Sequence, residues 1–159
     1  MSPKKIAILV DVQNIYYTTR DTFKRGFNYR QFYQQLNEQH EIVAAYAYAI
    51  DKGDAGQQKF QSALRHIGFD VKLKPYIQRA DGTAKGDWDV GITIDALSCA
   101  PMVDEIVLLS GDGDFALLLD TLQQRHNCTT VVYGVLNLTA NGLINAATEF
   151  VDIDHKWLL

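Results

Sequence analysis

Asp11, Asp89, Asp112 and Asp114 are the residues of this sequence whose types and spacing best suit chemistry. Asp112 and Asp114 close the run Glu105-Ile106-Val107-Leu108-Leu109-Ser110-Gly111-Asp112-Gly113-Asp114-Phe115. Its apolar part reads as a strand buried on both faces. A helical pattern follows at once, with Phe115, Leu117, Leu118 and Leu122. In open α/β sheets, ligands sit beyond the carboxyl ends of the strands. Two carboxylates delivered there repel one another unless a positive group lies between them. A divalent cation fits, because hard cations take oxygen ligands. A glycine-rich turn with an Asp N-cap would use one of the two acids without any ligand.

A second acid, Asp11, ends the apolar run Ile6-Ala7-Ile8-Leu9-Val10, and Asn14 follows three residues later. Asp11 suits a metal ligand and equally a helix cap; Asn14 is placed to cap the next helix or orient a water. A third element is Lys85-Gly86-Asp87-Trp88-Asp89, which leads into a helical pattern with Val90, Ile94 and Leu97. Carboxylates in a first helical turn are stabilised by the macrodipole, so Asp87 and Asp89 also read as capping residues. Asp95 lies six residues beyond Asp89, about 240° around a regular helix. It therefore does not share a face with Asp89 and reads as exposed or as a supporting partner. Strand-end Asp11, helix-start Asp89 and the pair Asp112 and Asp114 converge only if their two strands are neighbours. Such a carboxylate cage holds Mg²⁺ or Mn²⁺ with room for phosphate oxygens and suits metal-assisted phosphodiester hydrolysis.

Other chemistries find little support. His40, His66, His126 and His155 show no metal-type spacing, Ser110 is not in a GxSxG elbow, and the GxGxxG and GxxxxGK[ST] phosphate loops are missing. Cys99 and Cys128 form no CxxC pair, so neither a disulfide framework nor a zinc knuckle is indicated. Tyr16, Tyr17, Phe23, Phe27 and Tyr29 are interleaved with Arg20, Lys24, Arg25 and Arg30. That mixture stacks bases and holds phosphates in single-strand binders, and it also describes a helix with a buried aromatic stripe and a solvated basic face. Lys72, Lys74, Arg79 and Lys85 offer an opposite basic bank. The net charge of −4 argues against wholesale wrapping of nucleic acid but leaves room for a local basic strip.

These residues must be positioned by a fold. Apolar runs suited to buried strands recur at 6–10, 42–50, 71–75, 106–109 and 130–133, and helical patterns at 29–36, 54–67, 89–98, 115–124 and 143–147 lie between or after them. The apolar pair Phe150-Val151 comes last. Strands alternating with helices imply right-handed crossovers, hence a mostly parallel central sheet in a three-layer α/β/α sandwich. A length of 159 residues fits a single domain over 1–159. The polar stretch 76–86 reads as a flexible rim near the site. No apolar run approaches the ~18 residues of a membrane helix. The start Met1-Ser2-Pro3-Lys4-Lys5 has no signal-peptide pattern, so a cytoplasmic protein is expected.

Taken in order, Asp11-Val12-Gln13-Asn14, the Lys85-Gly86…Asp89…Asp95 block and Ser110-Gly111-Asp112-Gly113-Asp114-Phe115 make the chain resemble the NYN-domain family. These are PIN-like proteins regarded as metal-dependent ribonucleases. The resemblance implies a PIN-like α/β/α sandwich with Mg²⁺ or Mn²⁺ held by Asp11, Asp89, Asp112 and Asp114. It implies Asn14 as a supporting residue; the pattern of the residues themselves adds Asp95 and Ser110 as support, and Lys85, Arg20, Lys24 and Arg25 as contacts for RNA. The family's KGxD block has one residue between Gly and Asp, whereas Asp87-Trp88 stands between Gly86 and Asp89 here. Asp89 keeps the family's six-residue step to Asp95; Asp87 is the alternative. A catalytically weak RNA-binding or regulatory module of the same fold is the competing function. A Toprim-like phosphotransfer domain shares the strand-Gly-Asp-Gly-Asp element but expects Glu where Asp11 stands. Beyond RNA, the partners left open are a second copy of the chain or another protein.

Overall fold

The computed structural model describes residues 3–75, 77–78, 84–85 and 87–159, with the backbone alone at 75, 77–78 and 84–85. The chain begins with β1 (Lys5–Asp11), α1 (Val12–Phe23), α2 (Tyr29–Gln39), β2 (Glu41–Asp51), α3 (Ala55–Ile67) and β3 (Asp70–Pro75). A short antiparallel pair, β4 (Ile77–Gln78) and β5 (Ala84–Lys85), follows. The second half runs through α4 (Asp89–Cys99), β6 (Glu105–Leu109), α5 (Ala116–His126), β7 (Thr129–Gly134), α6 (Asn141–Ala146) and β8 (Glu149–Asp152).

The large sheet has the order β3-β2-β1-β6-β7-β8, and every neighbouring pair in it is parallel. "Mostly parallel" thus understates the main sheet. Strand periodicity sorts the side chains cleanly. Ile6, Ile8 and Val10 of β1 face one core with Val107 and Leu109 of β6, while Ala7 and Leu9 face the other with Ile106 and Leu108. The first core is covered by α1, α2 and α3 through Ile15, Phe32 and Leu64. The second is covered by α4, α5 and α6 through Ile92, Leu119 and Leu143. A sheet buried on both faces requires unbroken apolar strands, which is why the strand runs were legible.

Two elements depart from the sequence reading. The stretch after Asp11 is helical from its first residue, but its aromatic residues do not form a buried stripe. Val12, Ile15, Thr18 and Thr19 are the buried face of α1, while Tyr16 and Tyr17 are 54% and 57% exposed. The two threonines can occupy that face because each hydroxyl donates to the Ile15 carbonyl, with Thr18 also donating to the Asn14 carbonyl. The second departure is at 76–86, where the backbone of β4 and β5 forms a ladder; the flexibility expected of this stretch concerns residues outside those described.

The chain order fixes where a site forms. From β1 the chain winds outward through β2 to β3, then crosses back to β6 and winds the other way to β8. The reversal lies between β1 and β6, which pair in register from Ile6 opposite Glu105 to Val10 opposite Leu109. Such a switch point opens a crevice at the carboxyl ends of the two strands. Asp11 leaves one strand there and the segment Ser110–Asp114 leaves the other.

Candidate metal centre

Asp11 is the last residue of β1 and the N-cap of α1, its Oδ1 accepting the Asn14 backbone N–H at 3.4 Å. Its Oδ2 accepts the hydroxyl of Ser110 at 3.1 Å. Ser110 is fully buried, and its Oγ also accepts the Asp112 N–H at 3.2 Å. Asn14 completes the link from the other side: its Oδ1 accepts the Gly111 N–H at 2.9 Å. Three polar side chains from the two central strand ends therefore stitch the first turn of α1 to the loop carrying the acids. Capping is part of what Asp11 does, as the plainer reading held.

The loop itself is tightly packed. A Cβ on Gly111 would lie 2.7 Å from the Leu138 carbonyl oxygen, closer than real contacts permit, so glycine is required where segment 138–140 crosses. The Gly111 carbonyl accepts the Ala140 N–H at 3.1 Å. Asp112 then caps a single 3-10 turn, Gly113–Phe115, by accepting the Asp114 N–H at 2.9 Å, while Phe115 is buried in the second core. One acid caps and the other projects. The role of segment 138–140 was not read from the sequence; the Gly111 position was its only trace.

Asp89 arrives from the other side as the first residue of α4. One oxygen each from Asp89, Asp112 and Asp114 lies within 4.8 Å of the other two. Asp87 takes a different part: it is exposed, its Oδ1 accepts the Asp89 N–H at 3.2 Å, and its carbonyl accepts from Lys74 Nζ at 2.9 Å. Trp88 anchors this helix start by donating Nε1 to the Ala49 carbonyl at 2.9 Å, with Lys74 Nζ 4.6 Å from its ring centroid. The geometry thus brings Asp89, rather than Asp87, to the acidic group.

The electrostatics report the crowding. Asp89 is pushed up from an ordinary 3.8 to about 7, first by burial and then by its hydrogen bond with Asp112 and the charges of Asp112, Asp87 and Asp11. Asp11 is pushed up to about 6, chiefly by burial, against the opposing hydrogen bonds from Asn14 and Ser110. Asp112 and Asp87 add repulsion at Asp11. Asp11 therefore faces the cluster electrostatically without belonging to the three that close within 4.8 Å. Donors of this kind fit a hard cation. Octahedral ligands at ~2.1 Å stand roughly 3 to 4.2 Å apart, so small side-chain adjustments would bring three oxygens onto one ion.

The chain belongs to the NYN domain family. The family's model, described as NYN domain, matches residues 5–154. The chain is 31% identical over 162 aligned positions to the low amplitude and bright protein LabA of Synechococcus elongatus, covering 96% of this chain and 85% of that protein. It is also similar to a protein of unknown function, VPA0982 from Vibrio parahaemolyticus, known from a crystal structure. That likeness has 55% identity and a TM-score of 0.94, and covers 99% of this chain and 97% of the other. The NYN domain here is thus a single α/β unit with a parallel sheet flanked by helices.

The remaining sequence candidates fall in different places. Asp95, expected to support the NYN site, is engaged elsewhere: its Oδ2 accepts from Tyr48 Oη and from Lys72 Nζ, each at 2.7 Å. This ties α4 to β2 and β3, and the same contact, with burial, raises the Tyr48 phenol above its ordinary range. Arg25, expected to contact RNA, donates Nε to the Leu159 carbonyl at 2.6 Å and lies 3.4 Å from His155 Nδ1, both contacts being exposed. Arg20 and Lys24 line a shallow depression with Tyr17 and Asp21 on α1 and its C-cap. Lys85 lies on β5, and its side chain, like Arg79, is outside the described residues. Among the described residues, no helix is long and apolar enough to cross a membrane.

Proposed function

We propose that this NYN domain is a metal-dependent ribonuclease that hydrolyses RNA phosphodiester bonds at the carboxylate cluster. The observation that carries this reading is the meeting of Asp89, Asp112 and Asp114 within 4.8 Å at the switch point of a parallel sheet, with Asp11 facing them. Holding like charges together costs stability unless a cation neutralises them. Asp89, Asp112 and Asp114 would hold Mg²⁺ or Mn²⁺, with Asp11 completing the acidic wall. When bound, the ion supplies positive charge and Lewis acidity toward a phosphodiester.

The chain's own groups do the rest. The Ser110 hydroxyl and the Asn14 N–H each hold one oxygen of Asp11, so that carboxylate is fixed in orientation. In this scheme Asp11 takes the proton of an attacking water; its raised value of about 6 is that of the ion-free cluster. Asp112 and Asp114 are fixed by their capped turn. Arg20 and Lys24 offer positive charge along α1 for the RNA backbone. Cys99 and Cys128 are free and buried, which suits a reducing cytoplasm.

The test incubates purified protein with labelled single-stranded and hairpin RNAs in Mn²⁺, Mg²⁺ or EDTA, alongside a folded Asp112→Asn/Asp114→Asn variant. Cleavage that needs the metal and disappears in the variant supports the reading. RNA binding that is indifferent to EDTA and to the substitutions, with no cleavage by either protein, would replace it with a regulatory RNA-binding module.

A further inference from the structure

Between α1 and α3, at the carboxyl ends of β1 and β2, lies a cavity of about 700 Å³ that the hydrolytic scheme leaves unused. Its volume falls in the range of sites that take nucleotide-sized ligands. Its wall is rich in aromatic residues: Tyr16, Tyr17, Phe27, Tyr29 and Phe60 all line it. Tyr16 and Tyr17 meet edge to face at 5.7 Å, and Tyr29 meets Phe60 at 5.7 Å. Tyr16 and Tyr17 are more than half exposed, an arrangement that leaves ring faces for a ligand rather than for the core.

Two polar groups inside the cavity lack protein partners. Gln61 is 5% exposed and Tyr29 is 8% exposed, and both line the cavity. Among the described residues, neither the Gln61 amide nor the Tyr29 hydroxyl has a hydrogen-bond partner. No buried side-chain nitrogen or oxygen among the described residues is left without a partner, so both groups open onto the cavity, where they can meet a ligand that supplies donors and acceptors. An amide offers both, as does a phenol, and the edges of nucleobases present both. Asp54 on the wall is already committed as the cap of α3, accepting from the Gly56 N–H at 2.7 Å.

The cavity lies beside Asp11, although none of the four acids of the site lines it. Val12 and Gln13 form part of its lining directly after Asp11, and Asp11 acts electrostatically on Tyr29. Arg20 stands at the rim, 5.4 Å from the Tyr16 ring centroid, and also lines the neighbouring depression with Lys24. We infer that this cavity is a nucleobase pocket, stacking one unpaired base of single-stranded RNA on the α1 tyrosines and reading its edge with Gln61 and Tyr29. The inference rests on the ribonuclease reading for its placement: the base enters the pocket while its phosphate lies toward the carboxylates.

The experiment measures fluorescence anisotropy in EDTA with labelled octanucleotides of A, C, G or U and with an abasic ribose-phosphate octamer. Wild type is compared with Tyr17→Ala, an exposed position that leaves the core intact, and with Gln61→Leu, which keeps volume and removes the amide. Wild type should bind the base-bearing octamers about tenfold more tightly than the abasic one. Tyr17→Ala should lose that margin, and Gln61→Leu should level any preference among the four bases. Equal wild-type affinity for abasic and base-bearing octamers overturns the pocket, as does a free mononucleotide binding as tightly as an octamer. Mn²⁺-dependent cleavage of the same octamers separates the two ideas. Unaltered binding and cleavage in both variants removes the pocket and leaves the ribonuclease. Base-dependent binding that the variants lose, without cleavage by wild type, keeps the pocket and removes the hydrolytic reading.

Discussion

If the cluster is a set of carboxylates held against their mutual repulsion, Asp112→Asn should stabilise the metal-free protein at alkaline pH. Asp89 is raised from 3.8 to about 7 in the folded chain, a displacement worth about 4 kcal/mol if all of it were interaction energy at 1.36 kcal/mol per pH unit. Two discounts apply. Burial is the largest cause and survives the substitution. Asp89 is also partly exposed, so solvent screens its repulsion. The share removed with the Asp112 charge is then about 1 kcal/mol, or a rise in Tm of roughly 2–4 °C for a chain of this size. The turn should survive, because Asn caps as well as Asp and its amide oxygen can still accept the Asp114 N–H.

The pH dependence makes the reasoning strict. Asp89 has a raised folded pKa, so between about 4 and 7 the unfolded chain binds fewer protons at this site than the folded one. Stability from this group therefore falls as pH rises through that window. At pH 5 folded Asp89 is mostly protonated, and the substitution should change little; at pH 8 its full benefit should appear. Mn²⁺ should reverse the order, since an ion bound only by the folded wild type adds about 2.7 kcal/mol at a hundredfold excess over Kd. Urea and thermal denaturation in EDTA and in Mn²⁺, at pH 5 and pH 8, read all of this. A variant less stable than wild type at pH 8 in EDTA, or an equal Mn²⁺ gain in both proteins, would refute the argument.

Other consequences are simpler. Mn²⁺ affinity by calorimetry should fall by roughly tenfold per pH unit below 7 as Asp89 takes up its proton, and more steeply below 6 as Asp11 loses its charge beside the ion; a flat profile from pH 8 to 5 would exclude Asp89 as a ligand and Asp11 as part of the acidic wall. Asn14→Ala removes the acceptor of the Gly111 N–H. It should cost about 1–2 kcal/mol in urea denaturation and weaken Mn²⁺ binding by loosening Asp112; unchanged values would mean that the tether is idle. Asp95→Asn should cost about 1 kcal/mol through its half-buried contacts to Lys72 and Tyr48 while leaving Mn²⁺ affinity intact. A metal defect equal to that of Asp112→Asn would place Asp95 in the site after all.

The sequence by itself determined the layers and the positions of the acids at the strand and helix ends. Strands buried on both faces must be apolar throughout, so β1, β2 and β6 announced themselves, and the acids that follow β1 and β6 stood out by position even though Asp11 and Asp112 also serve as caps. What it left open depended on separation along the chain. Asp11 and Ser110 are 99 residues apart, and only the crossover from β3 back to β6 makes their strands neighbours. Local pattern carries no information about that order. Choosing between Asp87 and Asp89 required the direction in which α4 starts, which Trp88 sets by reaching Ala49 on another strand. The contacts of Asp95 were illegible for the same reason: its partners Tyr48 and Lys72 come from distant strands. The two readings of the aromatic stretch stayed open because helical spacing does not say which face is covered; Phe27 and Tyr29 went to the core. Thr18 and Thr19, able to satisfy their hydroxyls on the helix backbone, took the inward face and left Tyr16 and Tyr17 outside.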